Sequence, residues 1–538
     1  MVYAKAGHIQ AVAGLNFGDL CVLHRLCEPR VALEVWFYEI NKTDWLARES
    51  KINGSKVKVP DLLDREECEA TPTRDYTCQV LWQIPMSCRP DTVSDPERNS
   101  PLALAVVFPL CTSLQAQDFL VNRFDDQFDG VCDAHCSLRD AVSVHNQSGG
   151  VDRIVLTAGT YSLTLPPEYG VDGDVYDEDQ NLNGDLDVLS GSLTLLGAGR
   201  QDTIIDAGWI DRLFEVAAGA ALNVNDLTLR NGFTSTDGAG IENRGQVVVH
   251  RSLLAGNRIW YLWNGIHRGG AIYNEGTLEV YDSVFDGNSI GVFDLGLALG
   301  GAVFNAGRLS VRDTLFRSNV VITTDSTSVG AALFNIGEAS VARVAILGSR
   351  ADGDHGVAVR NAGSGVLTLS NATVSTSSSR DNWYGAVANG GAYPLLYYGT
   401  PRMKLLHVTI ADNLGTGLHN QGLLDARNSL IVANQYVNCS NQGAILQARG
   451  VLLGLDSSSC PADIYVDNQD VYGKVLYALK DNGAGLPTFS LPPVSPALDA
   501  GQGICAIVDQ RGYPRPADGD GDGLAACDIG AYERGAKR

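Results

Sequence analysis

The chain has 538 residues with a formal net charge of −22, and 45% of its residues are hydrophobic. This acidic balance excludes a nucleic-acid partner, which would need a basic surface. It suits high solubility or the binding of divalent cations, and it does not choose between them. The 59 glycines are typical of a chain with many tight turns.

The first informative segment is an apolar run over residues 102–110, which is too short to cross a bilayer. It matches the apolar centre of a secretory signal peptide, with cleavage after Ala116. A start at Met86 would make residues 86–117 the signal segment. Residues 1–85 would then be an over-extended reading frame, and the alternative is a small cytoplasmic domain ahead of an uncleaved anchor. We expect export to the cell exterior or outer cell surface, with no transmembrane helix in the mature chain.

Six of the cysteines form pairs that are close in sequence, and none of these pairs has the spacing of a metal site. Such local pairing predicts three disulfides and an oxidising compartment outside the cytoplasm. The predicted pairs are Cys132 with Cys136, Cys439 with Cys460, and Cys505 with Cys527.

A short amphipathic helix is predicted directly after the first cysteine pair. Leu138, Ala141 and Val142 would lie on one face of this helix. Short runs rich in β-branched residues follow and are bounded by Gly or Asp, which predicts strands.

A phrase of the form Gly-Gly-Ala-Ile-Tyr-Asn-Glu-Gly then recurs seven times, at intervals of 26 to 31 residues. This period indicates a repeat architecture, and each repeat contains three short apolar strands without a helix. The predicted fold is all-β, a right-handed parallel β-helix with coils of about 30 residues. Its repeats would span residues 201–437, between an N-terminal cap with the first coils (118–200) and C-terminal coils with a capping or anchor-type domain (438–538). A solenoid needs such caps because its apolar cross-section is open at each end.

The asparagine of each phrase is predicted to stack over the next and to pass amide hydrogen bonds along the axis. Asparagine also tolerates left-handed backbone, so a structural role outweighs a catalytic one. A second series at Asn231, Asn257, Asn288, Asn319, Ser349, Asn413 and Asn434 supports the same register. The predicted ladder consists of Asn243, Asn274, Asn305, Asn335, Asn361, Asn389 and Asn420.

Both ends of the region resemble a family of bacterial extracellular proteins. The segment Cys136-Ser-Leu-Arg-Asp-Ala-Val142 is similar to the Cys-Ser-Leu-Arg-Glu-Ala (CSLREA) motif, with Asp140 in place of the usual Glu. The segments from Asp509-Gln-Arg-Gly512 to Cys527-Asp-Ile-Gly-Ala-Tyr-Glu533 resemble the choice-of-anchor type Q domain. Pectin-lyase-like repeats lie between them. The resemblance implies export and a parallel β-helix, and the family carries no settled activity.

Two acidic loops have the spacing of calcium-binding loops, in which alternate oxygen ligands converge on one cation. Neither loop adjoins a recognisable base or nucleophile, so we expect structural calcium and no catalytic cofactor. The predicted ligands are Asp518, Asp520, Asp522 and Asp528 in one loop, and Asp179, Asn181, Asn183, Asp185 and Asp187 in the other.

Extra residues fall at one point of the repeat period, so they are predicted to project as loops from one face of the solenoid. Insertions on one face often form the binding face of a repeat protein. Their aromatic side chains would stack on sugar rings, and the alternative is that they pack against the flank of the helix. The predicted ligand-binding residues are Trp260, Tyr261, Trp263, Trp383 and Tyr384.

The catalytic candidates are Asp354, His355 and Arg360. Asp354-His355-Gly356 partly matches the Gly-His-Gly of polygalacturonase-like enzymes, but no pair of aspartates accompanies it. His407 and His419 are interpreted as turn residues. We therefore expect a monomeric binding or adhesion module for carbohydrate or another cell-surface component. A polysaccharide lyase or glycoside hydrolase is the alternative, and a purely structural stalk is the third possibility.

Overall fold

The computed structural model describes residues 117–169, 175–176, 178–261, 265–292, 296–354, 357–380, 385–391 and 397–537, together with seven short strands nearer the N-terminus. The chain divides into two compact units, Met1–Phe108 and Pro109–Arg538. In the first unit, a three-stranded antiparallel sheet and two hairpins are described. Their strands are Val2–Ala6, Ile9–Gln10, Glu34–Phe37, Ser50–Ile52, Ser55–Val57, Cys68–Ala70 and Tyr76–Cys78. The predicted signal segment up to residue 116 lies outside the described residues.

The second unit is a parallel β-helix, as the repeats predict. One of its sheets, which we call the ladder sheet, has ten three-residue strands that pair in parallel and in register. These short strands hold the repeated asparagines. Its strands are Leu186–Val188, Phe214–Val216, Ile241–Asn243, Ile272–Asn274, Val303–Asn305, Leu333–Asn335, Val359–Asn361, Val387–Asn389, Leu418–Asn420 and Cys439–Asn441.

A second sheet, the broad sheet, receives most of the remaining strands. Their apolar residues alternate inward, and the inward residues of both sheets form one continuous core. The strands are Asp118–Val121, Val151–Leu156, Gly159–Ser162, Ser192–Leu196, Thr203–Asp206, Ala221–Asn225, Thr228–Arg230, Gln246–His250, Leu253–Ala255, Thr277–Tyr281, Val284–Asp286, Arg308–Arg317, Glu338–Leu347, Val366–Ser375, Arg402–Ala411, Leu423–Arg427, Leu430–Val432, Ala444–Arg449, Leu452–Leu455 and Ile464–Asp467.

The phrase asparagines form a continuous ladder inside the coil. Each side-chain amide donates to the side-chain oxygen of the next, from Asn243 to Asn420, at 2.6–2.9 Å. The ladder goes one step further than predicted, because Asn420 donates to Asn441 at 2.7 Å. All seven predicted asparagines are fully buried, so these bonds satisfy polar groups that water cannot reach.

The second asparagine series forms two shorter ladders, and its predicted first member is wrong. In the later coils, Asn413 donates to Asn434 at 2.9 Å, as predicted. Asn257 donates to Asn288 and Asn288 to Asn319, both at 3.0 Å. Asn231 instead donates to Asp206, and the oxygen of Asn257 accepts from the backbone of Gly232. Asn231 is therefore one residue out of register with the row.

The predicted helix forms at Leu138–Ser148 and buries Leu138, Ala141 and Val142. Ser137 and Asp140 cap its first turn reciprocally. Arg139 is fully buried: its guanidinium pairs with Asp126 at 2.7 and 3.0 Å and donates to three backbone carbonyls of residues 183–185. The motif at residues 136–142 thus fastens the helix to the first coils.

The C-terminal segment packs on the broad sheet through a second apolar cluster. It includes the 3₁₀ turn Asn468–Asp470, the short helix Val471–Lys474 and the hairpin of Lys480–Asp481 with Pro487–Thr488. Buried ion pairs join Arg511 to Asp509 and Arg515 to Glu533, both at 2.6 Å. These four residues belong to the motifs quoted for the anchor-type resemblance, and their role here is structural.

All three predicted disulfides are present. Bonds of this kind persist in oxidising compartments. Among the described residues, no helix has the length and apolarity needed to span a bilayer.

Candidate functional site

The predicted surface loops are largely strands. At the inserted positions, successive coils pair in parallel and build a narrow extra layer, which we call the ridge. Regular stacking lets the backbone groups of each insertion hydrogen-bond to the next, which a free loop could not do. A row of apolar side chains, including Ile259, Ile290 and Val321, fills its interior. The ridge strands are Phe233–Thr234, Arg258–Tyr261, Ile266–Arg268, Ser289–Val292, Leu297–Leu299, Val320–Val329, Arg350–Asp354 and Ser378–Ser379.

Two of the five predicted aromatic ligand residues lie on the first complete rung of the ridge. Trp260 and Tyr261 are half-buried in the strand Arg258–Tyr261. The Arg258 guanidinium stacks over the Trp260 ring at 3.5 Å, and the Tyr261 ring lies 4.8 Å from that of His267. Trp263, Trp383 and Tyr384 lie outside the described residues.

An aromatic residue that the sequence pattern missed lies at the neighbouring corner of the coil. Trp209 is 59% exposed, and its indole nitrogen donates to the carbonyl of Gly256 at 3.4 Å. Gly256 is two residues before Arg258, so the exposed indole lies at the start of the first complete ridge rung. We call Trp209, Arg258 and Trp260 the corner cluster.

Trp209 has a backbone conformation that a bulky residue rarely adopts. Its φ is +58°, in the left-handed region, which Gly256 and Gly287 but also Asn231, Ser318 and Thr376 adopt at the same corner in later coils. A side chain in this conformation costs roughly 1–2 kcal/mol relative to the right-handed one. The turn of the coil accounts for the backbone conformation, so the unusual feature is a bulky, exposed side chain at this point. Strained residues of this kind cluster at functional sites.

The outer surface of the ladder sheet has a second row, formed by the middle residue of each strand. It begins with acids, continues with stacked rings at 5.4–5.5 Å, and ends with mixed side chains. Ridge residues such as Leu299 and Val329 cover its centre, together with Tyr397. The tenth middle residue, Ser440, is half-buried. The other nine are buried: Asp187, Glu215, Glu242, Tyr273, Phe304, Phe334, Arg360, Ala388 and His419.

The acidic end of this row is neutralised by arginines. Arg212 contacts Asp185, Glu215 and Glu242 at 2.9–3.0 Å. Arg244 bridges Glu215 and Glu242 from the outside.

A neighbouring pair joins Arg268 to Asp237 at 2.5 Å. Burial raises the pKa values of Asp237 and Glu242, against the opposing effect of the adjacent arginines. Burial also lowers the pKa of His267. Shifted pKa values of this kind occur at functional sites and in structural ion-pair networks alike.

Of the three predicted catalytic residues, the structure describes the side chain of Arg360, and their grouping into a site stays a prediction. Arg360 is fully buried in the ladder sheet and donates to the carbonyl of Gly390. Asp354 is the last residue of the ridge strand Arg350–Asp354, and only its backbone is described. His355 lies outside the described residues. His407 is a turn residue with φ +54°, as interpreted. His419 is instead the middle residue of Leu418–Asn420, so its interpretation as a turn residue is wrong.

The second predicted calcium loop is held by protein groups. Asn181 closes the loop by bonding both ways with the backbone of Asp187. Arg139 occupies the carbonyls of residues 183–185. Asp185 and Asp187 approach Glu215, with oxygens within 4.8 Å, rather than Asp179.

The C-terminal loop brings together Asp499, Asp518 and Asp520, with ligand atoms within 4.8 Å of one another. Asp499 was not predicted, because its position 19 residues before the motif gives no spacing signal. Asp528 is fully buried and accepts from the backbone of Asp499 and Arg534 at 2.8 and 2.6 Å. Its carboxylate therefore orients Asp499, and a calcium ion in this loop stays a prediction.

Comparison with known proteins adds little to this description. No family in the scan and no curated protein in the search matches the chain. A mannuronan C-5 epimerase AlgE6 A-module from Azotobacter vinelandii is 13% identical, with 65% of this chain and 97% of that chain covered and a TM-score of 0.24. A PL6 alginate lyase in complex with a trisaccharide is 10% identical, with 70% and 91% covered and a TM-score of 0.27. At these TM-scores neither likeness bears on what this chain does.

Proposed function

We propose that this protein is an extracellular binding module that holds a glycan against the corner cluster of the β-helix. The observation that carries the proposal is Trp209, an exposed indole held in a strained turn by a hydrogen bond to Gly256. A flat ring of this kind offers an apolar face to the C–H groups of a sugar and costs little side-chain entropy on binding. Trp260 and Arg258 would extend this surface along the ridge strand Arg258–Tyr261.

Parallel coils suit a linear ligand. Neighbouring strands are about 4.8 Å apart, so equivalent positions repeat along the axis at roughly the length of one sugar residue. The three disulfides support a place outside the cytoplasm, where glycans of cell surfaces and matrices are found.

Binding is favoured over catalysis by the state of the carboxylates beside the corner. Glu215 and Glu242 are less than one-tenth exposed, and each contacts two arginines. A general acid or base must reach the substrate and exchange a proton with it. Carboxylates committed to buried ion pairs do not meet that requirement.

Titration of the full chain with a panel of oligosaccharides, followed by tryptophan fluorescence and calorimetry, tests the proposal. We expect at least one glycan to bind and Trp209→Ala to weaken it by about tenfold or more, as for loss of an aromatic platform. Tyr477→Ala, which removes an exposed ring from the C-terminal segment, is the matched control and should bind normally. Equal binding by Trp209→Ala and the parent chain would refute the corner as the site.

A polysaccharide lyase or hydrolase is the second candidate, favoured by the raised pKa values of Asp237 and Glu242. Release of unsaturated or reducing ends from the same glycan would reveal such an activity. If Glu242→Gln still binds the glycan but no longer releases these ends, Glu242 on the outer surface of the ladder sheet is a catalytic residue. Release by the parent and by Glu242→Gln at equal rates would exclude this carboxylate as the acid or base.

A further inference from the structure

Arg258 differs from most of the arginines around it, although Arg312 also lies over a ring, that of Tyr281 at 4.1 Å. Among the described residues its guanidinium forms no ion pair and no hydrogen bond, and its interaction partner is the Trp260 ring. Its backbone neighbours in the coils before and after are Phe233 and Ser289, which carry no charge. Nearby arginines of the coils are paired with carboxylates: Arg230 with Asp206, Arg251 with Asp226, Arg268 with Asp237, Arg317 with Asp286, Arg343 with Asp313 and Arg350 with Asp352.

The stacked geometry prepares this guanidinium for an anion. A cation over an indole face at 3.5 Å is fixed in orientation by the ring, so less entropy is lost when it forms hydrogen bonds. Its N–H groups point outward from the edge of the guanidinium plane, where a carboxylate can be bound by two parallel hydrogen bonds. A half-buried charge without a partner also gains more from an incoming anion than a fully hydrated one does.

Long-range electrostatics limits how acidic such a ligand can be. The chain carries a formal net charge of −22, and Glu215, Glu242 and Asp237 lie close to this end of the coil. A polymer with an acid on every sugar would be repelled as it approached. A single carboxylate on an otherwise neutral chain would meet Arg258 without that penalty.

Resting on the proposed glycan site, we infer that Arg258 binds the carboxylate of an acidic sugar residue in a largely neutral glycan. Trp209 and Trp260 would contact neighbouring neutral sugars. The ligand class is thus a glycan with isolated uronate groups, as opposed to a fully neutral glucan or a polyuronate.

The test uses three probes with the full chain: neutral gluco-oligosaccharides bearing single glucuronate side residues, the same oligosaccharides after reduction of their carboxyl groups, and oligogalacturonate. We expect the first probe to bind best and carboxyl reduction to weaken binding by about tenfold or more. Arg258→Ala should remove this preference, and Arg258→Lys should restore part of it, because charge is kept and the bidentate geometry is lost. Arg317→Ala, in the broad sheet, is the control and should keep the preference.

Equal binding of the acidic and reduced probes, with Trp209→Ala weakening both, would overturn the inference and leave the proposed function standing. Preferred binding of oligogalacturonate would also overturn it. Failure of every probe to bind, with no effect of Trp209→Ala on any glycan, would refute the proposed function and the inference with it.

Discussion

The asparagine ladder and the corner cluster belong to the same β-helix, but they differ in burial, hydrogen bonding and backbone conformation. Asn305 is fully buried, accepts from Asn274 and donates to Asn335, at 2.6 and 2.7 Å. Trp209 is exposed, has one long side-chain hydrogen bond and a left-handed backbone. The ladder residue is what a coil interior requires. The corner residue has a conformation that costs stability, and the proposed binding role would account for its presence.

The largest effect is expected inside the ladder. Asn305→Leu removes one acceptor of the Asn274 amide, which keeps its bond to the carbonyl of Arg308, and leaves the oxygen of Asn335 buried without its donor. One unpaired oxygen and one lost amide bond cost about 2–4 kcal/mol together. Urea-induced unfolding followed by circular dichroism should show a lower midpoint for this variant, with glycan binding unchanged where the fold persists.

Ser310→Ala, on the outer surface of the broad sheet, is the matched control and should stay within about 0.5 kcal/mol of the parent. If Asn305→Leu unfolds at the parent's midpoint, the ladder does not hold the coils together and the comparison fails.

His407 sharpens the comparison, because it also has a positive φ but is explained by its contacts. It is fully buried, with one ring nitrogen 3.2 Å from the carbonyl of Asp528 and the other 3.3 Å from the backbone nitrogen of Ala506. Burial, with a smaller effect of Arg515, lowers its pKa to about 3. The unfolded chain therefore binds one more proton between pH 6.5 and pH 3, and stability falls as the pH falls through this window.

The contribution of this group is about 1.4 kcal/mol per pH unit, or about 2 kcal/mol between pH 6.5 and pH 5. The measurement is the unfolding midpoint of the parent and of His407→Asn at several pH values. Asparagine tolerates the turn conformation and does not titrate, so the difference between the two proteins should shrink on acidification. Parallel curves would show that His407 is not held neutral.

The exposed C-terminal loop with Asp499, Asp518 and Asp520 offers a test of calcium binding at a site away from the corner cluster. Asp518 and Asp499 accept backbone N–H groups of the loop, and their remaining lone pairs are available to a cation. Calcium at five times its dissociation constant would stabilise the fold by about 1 kcal/mol. We expect chelator to lower the melting temperature by a few degrees and Asp520→Asn to reduce that shift. A melting temperature that chelator leaves unchanged would remove calcium from this loop.

Repetition made most of the fold predictable. Recurring Asn at intervals near 30 residues predicted parallel coils, the ladder and its register, and the local cysteine pairs predicted the disulfides. Asn231 was misassigned because its spacing fits the series, whereas the pairing of Phe233 with Arg258 places Gly232 in the row.

The candidate site was harder to predict for a physical reason. The insertions have no helical or strict two-residue period, so their pairing into a ridge depends on neighbours about 30 residues away. Trp209 lies before the first repeat phrase and outside every insertion, and the available signal was the unusual sequence Gly208-Trp209 at a turn. The acids at Glu215 and Glu242 occupy the middle position of ladder strands, where later coils have rings, and this change along the row was the signal for them.

Trp209→Asn is expected to have the smallest effect on stability. It also tests most directly whether the ladder serves stability and the corner cluster serves binding. Asparagine adopts the left-handed region more readily than a bulky residue, so the variant regains part of the roughly 1–2 kcal/mol of backbone strain. It loses the long hydrogen bond to Gly256 and little buried surface, since the indole is 59% exposed. Stability should therefore be equal to that of the parent or higher by up to about 1 kcal/mol, while glycan binding is lost. A drop of the unfolding free energy by more than about 1.5 kcal/mol would mark Trp209 as a packing residue, and the distinction between ladder and corner would no longer separate stability from function.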